Sequence, residues 1–143
     1  MPTRPLRLGQ SLVKAGRLEE RHLRTALDEQ RGSGRRLGDI LVKRGYVDDK
    51  TVSRSLAAQL SLPFAEGPLT PEAEALELVD ATLARARAIL PLSATARTLR
   101  LAVSDPPDHE TLQELRLSSV RHVEPFVAAP STIAEGIRTA YDG

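Results

Sequence analysis

Residues 7–30 read RLGQSLVKAGRLEERHLRTALDEQ, and residues 36–59 read RLGDILVKRGYVDDKTVSRSLAAQ. Arg7-Leu8-Gly9, Leu12, Val13, Lys14, Gly16, Leu23, Leu27 and Gln30 return 29 positions later as Arg36-Leu37-Gly38, Leu41, Val42, Lys43, Gly45, Val52, Leu56 and Gln59. A fixed period of this length marks a duplicated supersecondary unit. Leucines repeated at helical spacing need only a shared core. An arginine, two glycines and a glutamine call for a further reason, because packing alone does not ask for them. Two copies of one binding element point to a ligand with two equivalent halves.

Each copy reads as two short helices. The first covers about 8–15 and stops at Gly16, which suits the left-handed position just past a helix end. The second covers about 19–31 and carries Leu23, Ala26 and Leu27 on an i, i+3, i+4 stripe. In the second copy the helices fall at 37–44, ending on Gly45, and at 48–60, opening on Asp48 as N-cap. Gly32-Ser33-Gly34 reads as a flexible joint between the copies. A helical hairpin cannot bury its apolar face alone, so the two should stack on each other.

The stretch from Pro63 to Pro71 is the boundary, because Leu62-Pro63, Gly67-Pro68 and Thr70-Pro71 restrict the residues before each proline and stop helix propagation. Thr70 as N-cap with Pro71 at the first helical position predicts a helix over 71–79, and Asp80 caps another over 81–87. Ile89 to Ala94 and Thr98 to Ser104 read as strands, the latter alternating Leu99, Leu101 and Val103 with Arg100, Ala102 and Ser104. Pro106-Pro107 turns the chain into a helix over 108–118. His122 to Ala128 is a third strand with Pro125 inside it, which argues for an edge position, and a helix over 130–141 closes the chain. The expected class is α+β: an all-helical tandem-hairpin subdomain over 1–62, then a small α/β subdomain with a short sheet over 63–143.

Composition narrows the functional classes. There is no run of 18 apolar residues and so no membrane span, and Met1 to Gly9 has no apolar signal core. The chain has no cysteine, which excludes disulfides and thiolate metal sites and is compatible with a cytoplasmic location. Its four aromatic residues, Tyr46, Phe64, Phe126 and Tyr141, are too few for a base-stacking platform of the single-strand-binding kind. The net charge of +1 hides an asymmetry: residues 1–62 hold 13 Lys/Arg against 7 Asp/Glu, and residues 63–143 hold 7 against 12. A front half at +6 beside a back half at −5 suits an anionic partner, or a basic face docked on an acidic neighbour.

Catalytic signatures are missing. No lysine follows a glycine, so there is no Walker-type phosphate loop, and no GxSxG elbow occurs. His22, His109 and His122 lack the spacing of a metal site. Glu74-Ala75-Leu76 matches the signature string of EAL-type phosphodiesterases, but that chemistry needs a barrel of about 250 residues. The Arg-Leu-Gly pairs are the positive signal. Read at a helix N-terminus, they bring free N–H groups that favour phosphate, and the arginine fork matches phosphate or guanine O6 and N7. Leu23/Leu27 and Val52/Leu56 would offer an apolar floor to a flat base, while Gln30 and Gln59 would bond a ring edge or a backbone group. The plainer account makes the leucines hairpin core and Gly16 and Gly45 helix stops.

The motif RLGxxLxxxGxxxxxxLxxxLxxQ, repeated after the five-residue spacer Arg31 to Arg35, resembles the MshEN domain. This is the cyclic di-GMP-binding form of the N-terminal domain of type II secretion and type IV pilus assembly ATPases. The first copy matches every fixed position, and the second departs only at Val52, where leucine is expected. Leu90-Pro91-Leu92, Leu101-Ala102-Val103, Ser104-Asp105-Pro106 and Val123-Glu124-Pro125 fall in the order of the family's C-terminal subdomain. The resemblance implies a non-catalytic receptor with no cofactor or metal, each motif holding half of one cyclic di-GMP. The implied ligand residues are Arg7, Leu8, Gly9, Leu12, Leu23, Leu27 and Gln30 in one motif. Their counterparts are Arg36, Leu37, Gly38, Leu41, Val52, Leu56 and Gln59, with Asp105 added from the second half either for guanine N1/N2 or, on the plainer account, as a turn-forming or helix-capping aspartate. It also implies a protein output partner or a fused ATPase or effector. The rival readings are a nucleic-acid-binding helical-hairpin protein and a structural adaptor that docks a secretion or pilus component.

Overall fold

A computed structural model describes residues 4–105 and 108–142, with the side chains of 4–7 and 142 outside that description; the expected Pro106-Pro107 turn also falls outside it. The chain is α+β and divides into two compact units, Met1–Leu60 and Ser61–Gly143. The first contains α1 (Arg4–Lys14), α2 (Glu20–Ser33), α3 (Leu37–Lys43) and α4 (Asp49–Leu60). The second contains α5 (Ala73–Leu78), α6 (Ala81–Arg87), β1 (Ile89–Ala94), β2 (Thr98–Val103), α7 (His109–Ser119), β3 (His122–Val127) and α8 (Pro130–Asp142).

The duplication in the helical unit extends to single hydrogen bonds. Gly16 and Gly45 both sit at φ 74°, a conformation that a side chain would strain. Gly16 donates to the Val13 carbonyl at 3.0 Å and Arg17 to Leu12 at 2.9 Å; Gly45 donates to Val42 and Tyr46 to Leu41, both at 3.0 Å. The same left-handed stop thus ends the first helix of each copy. The copies then interlock, α2 packing on α3 and α1 on α4. Leu8, Leu12, Leu18, Leu23, Ala26, Leu37, Ile40 and Leu41 form one buried cluster drawn from both repeats, so neither hairpin closes its own core.

Two expectations need correction in this unit. α1 begins at Arg4 rather than near Leu8, because Pro5 lies in the first turn, where its missing N–H would have had no partner in any case. Gly32-Ser33-Gly34 is not a loose joint: α2 runs through Ser33, and Gly34 at φ 70° ends it by donating to the Gln30 carbonyl at 2.9 Å.

In the second unit β2 is central, antiparallel to β1 and parallel to β3. Pro125 therefore does lie on an edge strand, where its missing N–H costs no ladder bond. Pro63 to Ala65 covers one end of that edge, with Val127 donating to the Pro63 carbonyl at 2.9 Å and Ala65 to Val127 at 2.8 Å. Ile89, Leu99, Leu101, Val103 and Val123 meet Ala75, Val79, Ala84 and Leu115 on one face. Leu90 and Ala102 meet Ala128, Ile133 and Ile137 on the other. Gly136 lets α8 approach this face, since a Cβ there would lie 2.5 Å from Leu90 Cδ2. The helix expected from Pro71 instead starts at Ala73 with Glu72 as the extended cap residue. Glu72 is held extended by β1: its N–H donates to the Leu92 carbonyl at 2.9 Å, and its Oε1 accepts from Ala94 N–H at 3.3 Å. This pairing falls where the β1–β2 register slips between Pro91 and Ser93.

Candidate ligand-binding site

The repeated glycines turn out to have a packing reason. A Cβ on Gly9 would lie 2.3 Å from Leu23 Cδ1, and a Cβ on Gly38 would lie 2.9 Å from Val52 Cγ1. Leu23 and Val52 are equivalent positions of the two motifs, so each copy seats the long helix's apolar side chain on the short helix's glycine. The expectation that packing does not call for these residues is corrected. Their absent side chains are filled by Leu23 and Val52.

Burial sorts the remaining motif residues. Leu12 and Leu41 have no exposed surface, Leu37 retains 1%, and Leu8, Leu23 and Leu56 are buried as well. These six hold the helices together in this structure. Leu27 and Val52 are only partly buried against the same core, which leaves them with apolar surface facing outward.

The polar positions behave differently. Arg36 is the N-cap residue of α3, its side chain 64% exposed and paired with Asp39 at 3.3 Å. Gln10 stands where Asp39 has its counterpart, so the repeats differ in charge at this point. Arg7 is the fourth residue of α1, so the first Arg-Leu-Gly does not open its helix as expected; its side chain lies outside the described residues. The arginine forks rather than the helix ends are therefore the feature the two copies share. Gln59 is half-buried, yet its Oε1 and Nε2 are shut off from solvent and have no hydrogen-bond partner among the described residues. Gln30, its counterpart, is also half-buried. Asp105 is half-buried in the bend after β2, in the other unit.

The sequence reading missed a group of contacts between α2 and the end of α3. The His22 and Tyr46 rings stack with centroids 4.1 Å apart and planes 4° from parallel. Arg44 Nε donates to Glu29 Oε1 at 2.7 Å, and a second guanidinium nitrogen reaches the same oxygen. Hydrogen bonds to Glu29 and then to Tyr46 raise the Arg44 pKa further above its ordinary value. None of the four positions repeats, so the period that exposed the motif could not expose them. At the start of α4 Asp48 Oδ1 accepts from Thr51 N–H at 2.7 Å, and hydrogen bonding to Thr51 holds this carboxyl below the ordinary aspartate range. Among the described residues no group of three His, Asp or Glu side chains is placed to hold a metal ion, and no helix is long and apolar enough to cross a membrane.

The MshEN domain model matches residues 51–143. The chain superposes on the solved structure of MshE with cyclic di-GMP with a TM-score of 0.77 and 32% identity, over 94% of this chain and 99% of that one. It also shares its fold with the N-terminal domain of XpsE, with a TM-score of 0.69 and 22% identity, over 96% and 97% of the two chains. The type IV pilus assembly ATPase PilB of Myxococcus xanthus is 27% identical over 136 residues, and that of Thermus thermophilus 30% over 138. These stretches cover 94% and 95% of this chain but 24% and 15% of the two ATPases.

Proposed function

The chain belongs to the MshEN domain family, and on that basis we propose that it is a cyclic di-GMP receptor that holds one ligand across both repeated motifs and relays its presence to an output module. Arg7 and Arg36 serve phosphate or guanine edges, and Leu27 and Val52 offer apolar surface to the bases. Gln30 and Gln59 bond polar edges, while the buried leucines and the glycines keep the two motifs in register. The observation that carries this reading is Gln59. It is a motif residue whose amide is cut off from water and has no hydrogen-bond partner among the described residues. A buried amide left so costs about 1–3 kcal/mol, and the edge of a purine offers the donor and acceptor that would satisfy it.

The neighbouring protein solved with cyclic di-GMP supports the choice of ligand, and the pilus ATPases that carry a similar stretch support an ATPase as the output. A cytoplasmic location, a non-catalytic role for this region and a guanine contact by Asp105 belong to the same proposal. Calorimetry with cyclic di-GMP, cyclic di-AMP and duplex DNA tests it. The expected result is one cyclic di-GMP per chain and much weaker binding of cyclic di-AMP, whose adenine carries an N6 donor where guanine has the O6 acceptor. Binding of DNA without binding of cyclic di-GMP would transfer the basic half to nucleic-acid recognition instead.

A further inference from the structure

The interlocked repeats create two equivalent seams, α2 on α3 and α4 on α1, but the sequence treats them differently. The first seam holds the His22–Tyr46 stack and the Arg44–Glu29 ion pair. Moving each residue by the 29-residue period places Thr51 and Arg17, and Ala15 and Ala58, at the same positions of the second seam. A threonine and an arginine cannot stack as two flat rings, and two alanines cannot form an ion pair. From this we infer that the helical unit consists of a clamped pair and a yielding pair: α2–α3 is the fixed half, and α1–α4 is the seam that opens and is closed by ligand. The last step rests on the receptor reading proposed above; the difference in rigidity does not.

The chemistry of the clamp supports a real difference. Stacked rings gain beyond their buried area, and His22 and Tyr46 come from different repeats, so the stack ties copy to copy. The Glu29 side chain is only 28% exposed, so its pair with Arg44 is less screened than the pairs Arg21–Glu19 or Arg31–Asp28 on the open face of α2. On the other side, α4 carries the Gln59 amide, which has no partner among the described residues. A helix without the stack and the ion pair of its counterpart, and with an amide unsatisfied among the described residues, is the one placed to move toward a ligand. Coupling then needs no long pathway: a ligand touching both motifs draws α1 and α4 together against a pair that is already fixed, and this is the two-state element a receptor requires.

Hydrogen exchange on the free chain tests the inference without assuming a ligand. At matched positions, the amides of Ala26 and Leu27 in α2 should exchange about tenfold more slowly than those of Ser55 and Leu56 in α4, the ratio expected from one stack and one ion pair. The double variant His22→Ala, Arg44→Ala should abolish the gap by speeding α2. Transplanting the clamp with Arg17→Tyr, Thr51→His, Ala15→Arg and Ala58→Glu should narrow it by slowing α4; Ala15, Arg17 and Ala58 are exposed and Thr51 only half-buried, so the changes leave the core intact. Equal exchange in α2 and α4 of the natural chain, or a gap that survives loss of the clamp, would overturn the inference. Added cyclic di-GMP should then protect α4 more than α2. Protection equal in the two helices would overturn the gating role, and failure to bind at all would overturn the receptor reading while leaving the measured asymmetry in place.

Discussion

The first repeat and the second share a 24-residue motif, one left-handed stop and one glycine-seated side chain, and differ in almost everything around these. The first opens its short helix three residues before the motif arginine, while the second opens immediately after it. The second pairs Arg36 with Asp39; the first has Gln10 there. Its long helix is capped by a side chain, whereas Glu19 makes no such bond in the first. Duplication has thus kept the residues that set the distance between helices and let the ends of the helices diverge. At the glycines and the buried leucines, identity between copies marks construction. Variants at paired positions separate the two.

The largest effect should come from the buried pair. Leu12→Ala and Leu41→Ala each remove a side chain with no exposed surface, and each should cost about 2–5 kcal/mol in denaturant unfolding. Near-equal losses would support a shared core; a loss confined to one repeat would mean that the hairpins pack separately. The glycines come next. In Gly9→Ala the new methyl meets Leu23 Cδ1, with Cδ2 and Cγ at 3.2 and 3.3 Å, so turning the leucine does not relieve the clash. The net loss should be about 1–2 kcal/mol, overpacking less the helix propensity gained. Gly38→Ala crowds a single methyl of half-buried Val52 and should lose less than half as much. Equal melting shifts for the two would show that the spacing of the seats does not matter.

Much of this was legible in the sequence. The repeat predicted four helices, and the alternation around Leu99, Leu101 and Val103 predicted a strand. Gly45 and Asp48 marked the ends of two helices, and Pro125 marked an edge strand. What failed did so where distant residues decide. Thr70-Pro71 is a good local helix start, but the edge of β1 takes Glu72 and delays the helix. The packing role of Gly9 and Gly38 was missed because nothing local shows that a side chain 14 residues later fills the space. The His22–Tyr46 stack has no sequence signal at all, since its members sit in different copies at positions the copies do not share.

The smallest effect is at the helix starts. Asp48→Ala should cost about 1 kcal/mol as a lost cap, while Glu19→Ala should be nearly silent. Because the Asp48 carboxyl is held below its ordinary value, the charge-dependent part of its contribution is complete at neutral pH and is lost as pH falls below about 4 and through the lowered value. The stability difference between the natural chain and Asp48→Ala should therefore narrow on acidification. A difference unchanged between pH 7 and pH 2 would show that the charge of Asp48 contributes nothing to the cap.

Whether two motifs make one site is decided by titrating the Arg7→Ala, Arg36→Ala and double variants with cyclic di-GMP, each checked for an unchanged melting temperature. One ligand per chain is expected throughout, with each single variant weakened about 5- to 150-fold, the range for losing about 1–3 kcal/mol at a charged hydrogen bond, and the double variant weaker still. Two ligands bound by the natural chain, with one lost in each single variant and the other held at full strength, would contradict a single shared site.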